Sequence, residues 1–140
     1  EYKIDVICGI ANLHKNSIKR LCATIKSTSF YVHTDNIAKF MARADLSIGG
    51  GGSTTWERCC LGLPAVVSIL AENQLQLTNN VAEIGCVINL GLASNSRPDD
   101  YTRVLKAIEP KILQRMSKKC LSLVDGNGTI RIMNKLFKET

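Results

Sequence analysis

Aromatic side chains make up only 5% of this 140-residue chain, and it holds just two histidines and three prolines. The scarcity of rings bears on the formal charge of +6. Much of that charge comes late, in Lys111, Arg115, Lys118, Lys119, Arg131, Lys135 and Lys138, at helical spacings around apolar positions and with few interleaved aromatics on which bases would stack. These cations read as a solvated outer face, and no nucleic-acid partner is expected. Long hydrophobic runs are also missing. No stretch approaches the roughly 18 uninterrupted apolar residues of a spanning helix. The amino end, Glu1-Tyr2-Lys3 running into Ile4-Asp5-Val6-Ile7, lacks the charged and apolar regions of a signal peptide, so the expected compartment is the cytoplasm. There is no initiator methionine before that strand-like run, so the chain reads as a piece of something longer.

Metal-ligand spacing is absent as well. No C-x-x-C occurs, His14 and His33 lie far apart, and no Asp-x-Asp pair is present. The six cysteines (Cys8, Cys22, Cys59, Cys60, Cys86, Cys120) fall inside apolar strand and helix patterns, so they read as small buried hydrophobes rather than disulfides or zinc ligands. Neither a metal nor a cofactor is expected. His14 sits in the loop Asn12-Leu13-His14-Lys15 with no carboxylate nearby in sequence, which favours a surface residue over a general base.

What is there is a repeated switch between short apolar runs and helical periodicity, the mark of strand–helix units feeding a mostly parallel sheet. Strands are predicted at Ile4 to Cys8, Phe30 to His33, Leu46 to Ile48, Ala65 to Leu70 and Val87 to Leu90, with helices at Ser17 to Ile25, Asn36 to Arg43, Thr54 to Leu61 and Asn73 to Ile84. Asp35 or Asn36, Ser53 or Thr54, and Asn73 are suited to cap the last three helices, and Gly62 and Gly85 to end two of them. Beyond Pro98-Asp99-Asp100 comes helical periodicity, a break at Pro110, and a last helix after Asp125-Gly126-Asn127-Gly128. With no internal repeat or low-complexity linker, the expectation is one α/β domain over 1–140: a Rossmann-like, mostly parallel sheet with helices on both faces.

The feature most open to function is Gly49-Gly50-Gly51-Gly52-Ser53-Thr54-Thr55, at a strand-to-helix junction. Ligands of open parallel sheets bind there, and glycines with a helix N-terminus make a diphosphate cradle of N–H donors. A flexible turn with a hydroxyl cap is the plainer alternative, although four consecutive glycines exceed what a cap needs. Two common owners of such loops are poorly supported. A P-loop needs Lys after its last glycine, where Ser53 stands, and a dinucleotide fingerprint needs a third glycine where Thr54 or Thr55 stands. Glu57 fits a ribose ligand, and equally the far half of a capping box opened by Thr54. Asn73 and Gln74 follow the next strand at the same sheet edge and fit hydrogen bonds to a sugar, although Asn73 also fits a simple cap.

From Ala44 to Gln74 the sequence reads ADLSIGGGGSTTWERCCLGLPAVVSILAENQ. In that order of glycine loop, Ser-Thr, Trp-Glu-Arg, Gly-Leu-Pro and Asn-Gln it resembles the carboxyl-terminal domain of the UDP-2,4-diacetamido-2,4,6-trideoxy-β-L-altropyranose hydrolases (PseG) of pseudaminic acid biosynthesis. Weaker likeness takes in Asn36 to Met41 and Asp125 to Gly128 with Arg131. More distantly the chain is similar to MurG-like transferases of the two-domain GT-B architecture. The resemblance implies a nucleotide-sugar-binding, carboxyl-terminal half-domain whose ligand is a UDP-linked amino sugar. The diphosphate would be held by Gly50, Gly51, Gly52, Ser53 and Thr54, the ribose by Glu57 and the sugar by Asn73 and Gln74, with uracil near the Ile37 backbone. It also implies an amino-terminal domain carrying the catalytic histidine, so no catalytic residue is expected here, and a further strand of the sheet that these residues do not supply. Hydrolysis, transfer to an acceptor hydroxyl, and binding without catalysis all remain open at this point.

Overall fold

The structure is a computed structural model, and it describes residues 2–137. Glu1 of the amino-terminal reading and Lys138 of the basic face lie outside the described residues. The chain divides into two compact units, Glu1–Phe40 and Met41–Thr140.

In the first unit, β1 (Ile4–Cys8), α1 (Lys15–Thr24) and β2 (Thr28–Val32) make a strand–helix–strand unit, with β1 and β2 parallel and paired from Ile4 with Thr28 to Cys8 with Val32. β2 stops one residue short of the expected end because His33 turns into the left-handed region, at φ 59°. Tyr31 and Phe40 meet edge to face at 4.7 Å between ring centres, which ties the end of β2 to the helix α2 (Ile37–Arg43). His14 is exposed at the head of α1, and its backbone N–H bonds the Asn12 side chain.

In the second unit, β3 (Ser47–Gly50), β4 (Ala65–Ile69) and β5 (Val87–Leu92) form a parallel sheet in that order, with α3 (Thr54–Cys60) and α4 (Leu75–Ile84) as its crossovers. The strands pair in parallel throughout, as read from the sequence, in the ladders β1–β2 and β3–β4–β5. Every residue of the central strand β4 is buried, as a strand covered on both faces must be, and its continuous apolar run is the sequence form of that burial. Ala65, Val67, Val81, Val87 and the thiols of Cys59, Cys86 and Cys120 make the core, where a fully buried valine contributes about 1.5–3 kcal/mol over an exposed one.

Gly62 (φ 66°) and Gly85 (φ 86°) end α3 and α4 in the left-handed conformation, as their positions predicted. At the second of these stops, the Gly85 and Cys86 N–H groups return to the Val81 carbonyl. β5 runs past Gly91 to Leu92, two residues longer than expected, because the ladder absorbs an irregularity between Val67 and Ile69 while Gly91 takes φ 80°.

Three helices follow: α5 (Pro98–Ala107), α6 (Pro110–Leu123) and α7 (Gly128–Phe137). Pro98 and Pro110 sit in the first turns of α5 and α6, where a missing N–H costs nothing. On α6, Met116 and Cys120 face inward while Lys111, Arg115, Lys118 and Lys119 are exposed, which is the solvated basic face read from the spacing. Arg131 and Lys135 are exposed on α7, but so are Ile130, Ile132, Met133, Leu136 and Phe137. No helix of the described residues is long and apolar enough to cross a membrane.

Candidate functional site

The glycine run leaves the sheet at the carboxyl end of β3. Gly49 and Gly50 belong to the strand, paired with Val67 and Ser68, so the turn proper is Gly51-Gly52-Ser53 and α3 starts at Thr54. Gly51 is still anchored, its N–H bonding the Ser68 carbonyl at 3.2 Å. Among the described residues, the N–H groups of Gly52, Ser53 and Thr54 have no protein acceptor. They are the orphan donors that every helix start leaves, and here they stand at a sheet edge where anions are held in related architectures.

The glycines are there for a reason the sequence did not show. A Cβ on Gly50 would lie 2.7 Å from Leu70 Cδ1, and one on Gly51 would lie 2.1 Å from Thr78 Oγ1. A Cβ on Gly52 would approach Gln74 Nε2 to 3.2 Å. The run is glycine because the turn packs tightly on the β4–α4 connection. The turn is further held from beneath. The Thr78 hydroxyl donates to the Gly51 carbonyl at 3.1 Å, and Arg58 Nη2 donates to the Gly50 carbonyl at 2.8 Å and to Thr55 Oγ1 at 3.0 Å. Arg58 is buried, and its Nε has no partner among the described residues. Burial lowers the pKa of its guanidinium, and the neighbouring Cys59 and Glu57 work against that shift. Neither Arg58 nor Thr78 was foreseen as part of the turn. The only hint is that Thr55 and Arg58, three apart, share one helix face.

Three capping expectations are corrected. Ser53 occupies the cap position of α3, yet its side chain makes no cap hydrogen bond, because its backbone is already helical (φ −55°, ψ −30°). With the cap at Ser53, Thr54 is the first helical residue, so the Thr54–Glu57 capping box does not form and the exposed Glu57 carboxylate makes no hydrogen bond among the described residues. Asn73 does not cap α4 either. Glu72–Gln74 form a separate 3-10 turn ahead of Leu75, in which Asn73 is exposed. Gln74 is engaged: its Oε1 accepts the Leu70 N–H at 3.0 Å, and its amide nitrogen lies over Gly52.

The structure therefore brings Gly50, Gly51, Gly52 and Gln74 together, with Ser53 and Thr54 continuing the same turn and Glu57 and Asn73 exposed on the adjoining helical turns. Ile37 is the first residue of α2, in the other compact unit, and is partly exposed. A shallow depression elsewhere, lined by Asp99, Thr102, Arg103, Lys106 and Ala107, includes none of these residues.

The cysteines differ from expectation in one respect. Cys59, Cys86 and Cys120 are buried as predicted, but their sulfurs converge to within 4.8 Å of one another. The Cys120 thiol beside it holds Cys59 down at about 7, while the same pairing and burial push Cys120 up, and burial raises Cys86.

Comparison with known proteins accords with this geometry. The Spore coat polysaccharide biosynthesis protein SpsG of Bacillus subtilis (strain 168) is 27% identical over 128 residues, covering 90% of this chain and 38% of that protein. Among solved structures, Acinetobacter baumannii MurG superposes with a TM-score of 0.78 at 21% identity, covering 100% of this chain and 42% of its own. The glycotransferase of kitacinnamycin gives 0.62 at 15% identity, covering 96% of this chain and 43% of its own. A putative UDP-N-acetylglucosamine 2-epimerase from Listeria monocytogenes gives 0.56 at 14%, covering 99% and 46%. These structural likenesses establish the fold, a GT-B carboxyl-terminal half-domain of parallel sheets with helices on both sides. The chain spans less than half the length of each of these relatives. The model of the glycosyltransferase family 28 C-terminal domain matches residues 1–122, and the chain belongs to that family.

Proposed function

We propose that this chain is the UDP-sugar-binding portion of an enzyme that releases UDP from UDP-2,4-diacetamido-2,4,6-trideoxy-β-L-altropyranose, with water as the attacking group. The observation that carries the reading is the turn itself. Three unpaired N–H donors at Gly52, Ser53 and Thr54 stand at the end of β3, in a chain whose family membership is that of nucleotide-sugar-binding domains. In the proposed reaction the diphosphate leaves from the anomeric carbon and gains charge as it goes. Donors fixed before reaction stabilise that charge without reorganising, which is the main contribution a leaving-group site makes. Gly50 and Gly51 hold the turn, Glu57 takes the ribose hydroxyls, and Asn73 and Gln74 face the sugar, with Gln74 already oriented by its bond to Leu70. Uracil against the Ile37 backbone is part of the same proposal. The attacking half belongs to sequence outside these residues.

A transferase, in which an acceptor hydroxyl replaces water, is the second reading. The glycosyltransferase family and the polysaccharide role in the printed name of SpsG both favour it. Full-length protein incubated with the UDP-linked diacetamido sugar, with and without acceptor and followed by NMR, separates the two. Free sugar without acceptor is the expected result. UDP release only with acceptor would establish transfer instead, and no release in either tube would overturn both.

A further inference from the structure

The three converging thiols have a chemistry of their own. Cys59 comes from α3, Cys86 from the residue before β5 and Cys120 from α6, and each is 0–1% exposed. Their sulfurs lie within 4.8 Å of one another. Three sulfurs around one ion at bonds of about 2.3 Å form a triangle with edges of roughly 4 Å, so less than about 1 Å of side-chain adjustment closes the set. No fourth ligand joins the group among the described residues, whereas structural zinc takes four. A soft monovalent ion is satisfied by three thiolates.

We propose that Cys59, Cys86 and Cys120 form a trigonal site for a soft, thiol-seeking monovalent cation, with monovalent copper as the first-row ion of that class. Three S–H bonds give up three protons to solvent, three copper–sulfur bonds form, and copper does not change oxidation state. The filled site carries a net charge of −2. The buried Arg58, next in sequence to Cys59, and the exposed Lys119, next to Cys120, are the nearby positive charges that offset it in part. Cys120 also donates to the Cys86 carbonyl at 3.6 Å, a weak bond that is given up when the thiol binds metal. Because the sulfurs are buried, the ion enters as the chain folds or opens locally. The site is independent of the nucleotide reading.

The test uses the reduced 140-residue chain without oxygen. Monovalent copper is supplied as its acetonitrile complex against the chelator bicinchoninate, both to the folded chain and during refolding from urea. One copper per chain is expected to survive the competition in the refolded sample, with copper-edge X-ray absorption fitted by three sulfur neighbours. Cys120→Ala should weaken retention by more than roughly a hundredfold, beyond the usual effect of losing a group that only supports a ligand. Cys22→Ala, outside the cluster, should not weaken it. The proposal is overturned if the refolded chain retains no copper, if the sulfur count is two, or if Cys120→Ala holds copper as well as the parent. Should Cys120→Ala fail to fold, the sulfur count on the parent chain and Cys86→Ser decide the matter.

Discussion

Helix α3 has two faces with opposite surroundings. On one, Ser53, Thr54, Trp56 and Glu57 are exposed, and the side chains of Ser53 and Glu57 make no hydrogen bond among the described residues. On the other, Thr55, Arg58 and Cys59 are buried and tied to the strand, the turn and the thiol cluster. One face is fixed by internal contacts. The other keeps its polar groups free, as the proposed binding surface requires. The contrast teaches that the run Ser53 to Arg58 mixes a holding role with the proposed binding one, and that residues one apart in sequence should respond to mutation in opposite ways.

The largest expected effect is on the buried face. Arg58→Met leaves the part-buried Gly50 carbonyl and the buried Thr55 hydroxyl without their shared donor, and should cost about 3 kcal/mol of stability in urea unfolding. Next comes the turn. Gly51→Ala drives a methyl against Thr78, and should cost about 2 kcal/mol as an overpacked contact. An unchanged urea midpoint in either variant would mean that the turn is not held as described. On the exposed face the signs separate. Glu57→Ala should weaken UDP binding to the chain roughly tenfold or more by isothermal titration, the scale of one lost charge-assisted hydrogen bond. Its stability should stay within about 0.5 kcal/mol of the parent, as for a surface substitution. Loss of stability with UDP affinity intact would return Glu57 to a helix-capping role.

The smallest effect lies outside the comparison and calibrates it. Hydrogen bonds from Arg131 and from the Asn127 backbone hold the exposed Asp125 down at about 2. The folded-state value is thus below the ordinary one of about 4, so this contribution is present above pH ~4 and is lost as the pH falls toward 2. Asp125→Asn should lower melting slightly at neutral pH and leave it unchanged near pH ~2, so that this part of the acid sensitivity disappears.

The strand–helix alternation was legible because burial on both faces of β4 writes itself as a continuous apolar run, and because Gly62 and Gly85 end helices in the one conformation that favours glycine. Boundaries slipped where a local torsion decided them, as at His33 and Gly91. The turn was legible as a glycine run, but its cause was not. The neighbours that exclude a Cβ, Leu70, Thr78 and Gln74, lie some twenty residues downstream, and only the folded chain brings them in. For the same reason Cys59, Cys86 and Cys120 showed no ligand spacing. Their meeting is made by α3, the start of β5 and α6 converging on one core.

Whether the free donors of the turn bind the diphosphate of a UDP-sugar, as proposed, is read by following backbone amide resonances of the 140-residue chain during titration with UDP. The prediction is saturable shifts of Gly52, Ser53 and Thr54, the largest in the spectrum, with Gly51 moving less because its N–H is already bonded to Ser68. Saturable binding whose shifts fall on other residues, or no shift of these amides at millimolar UDP, would contradict it.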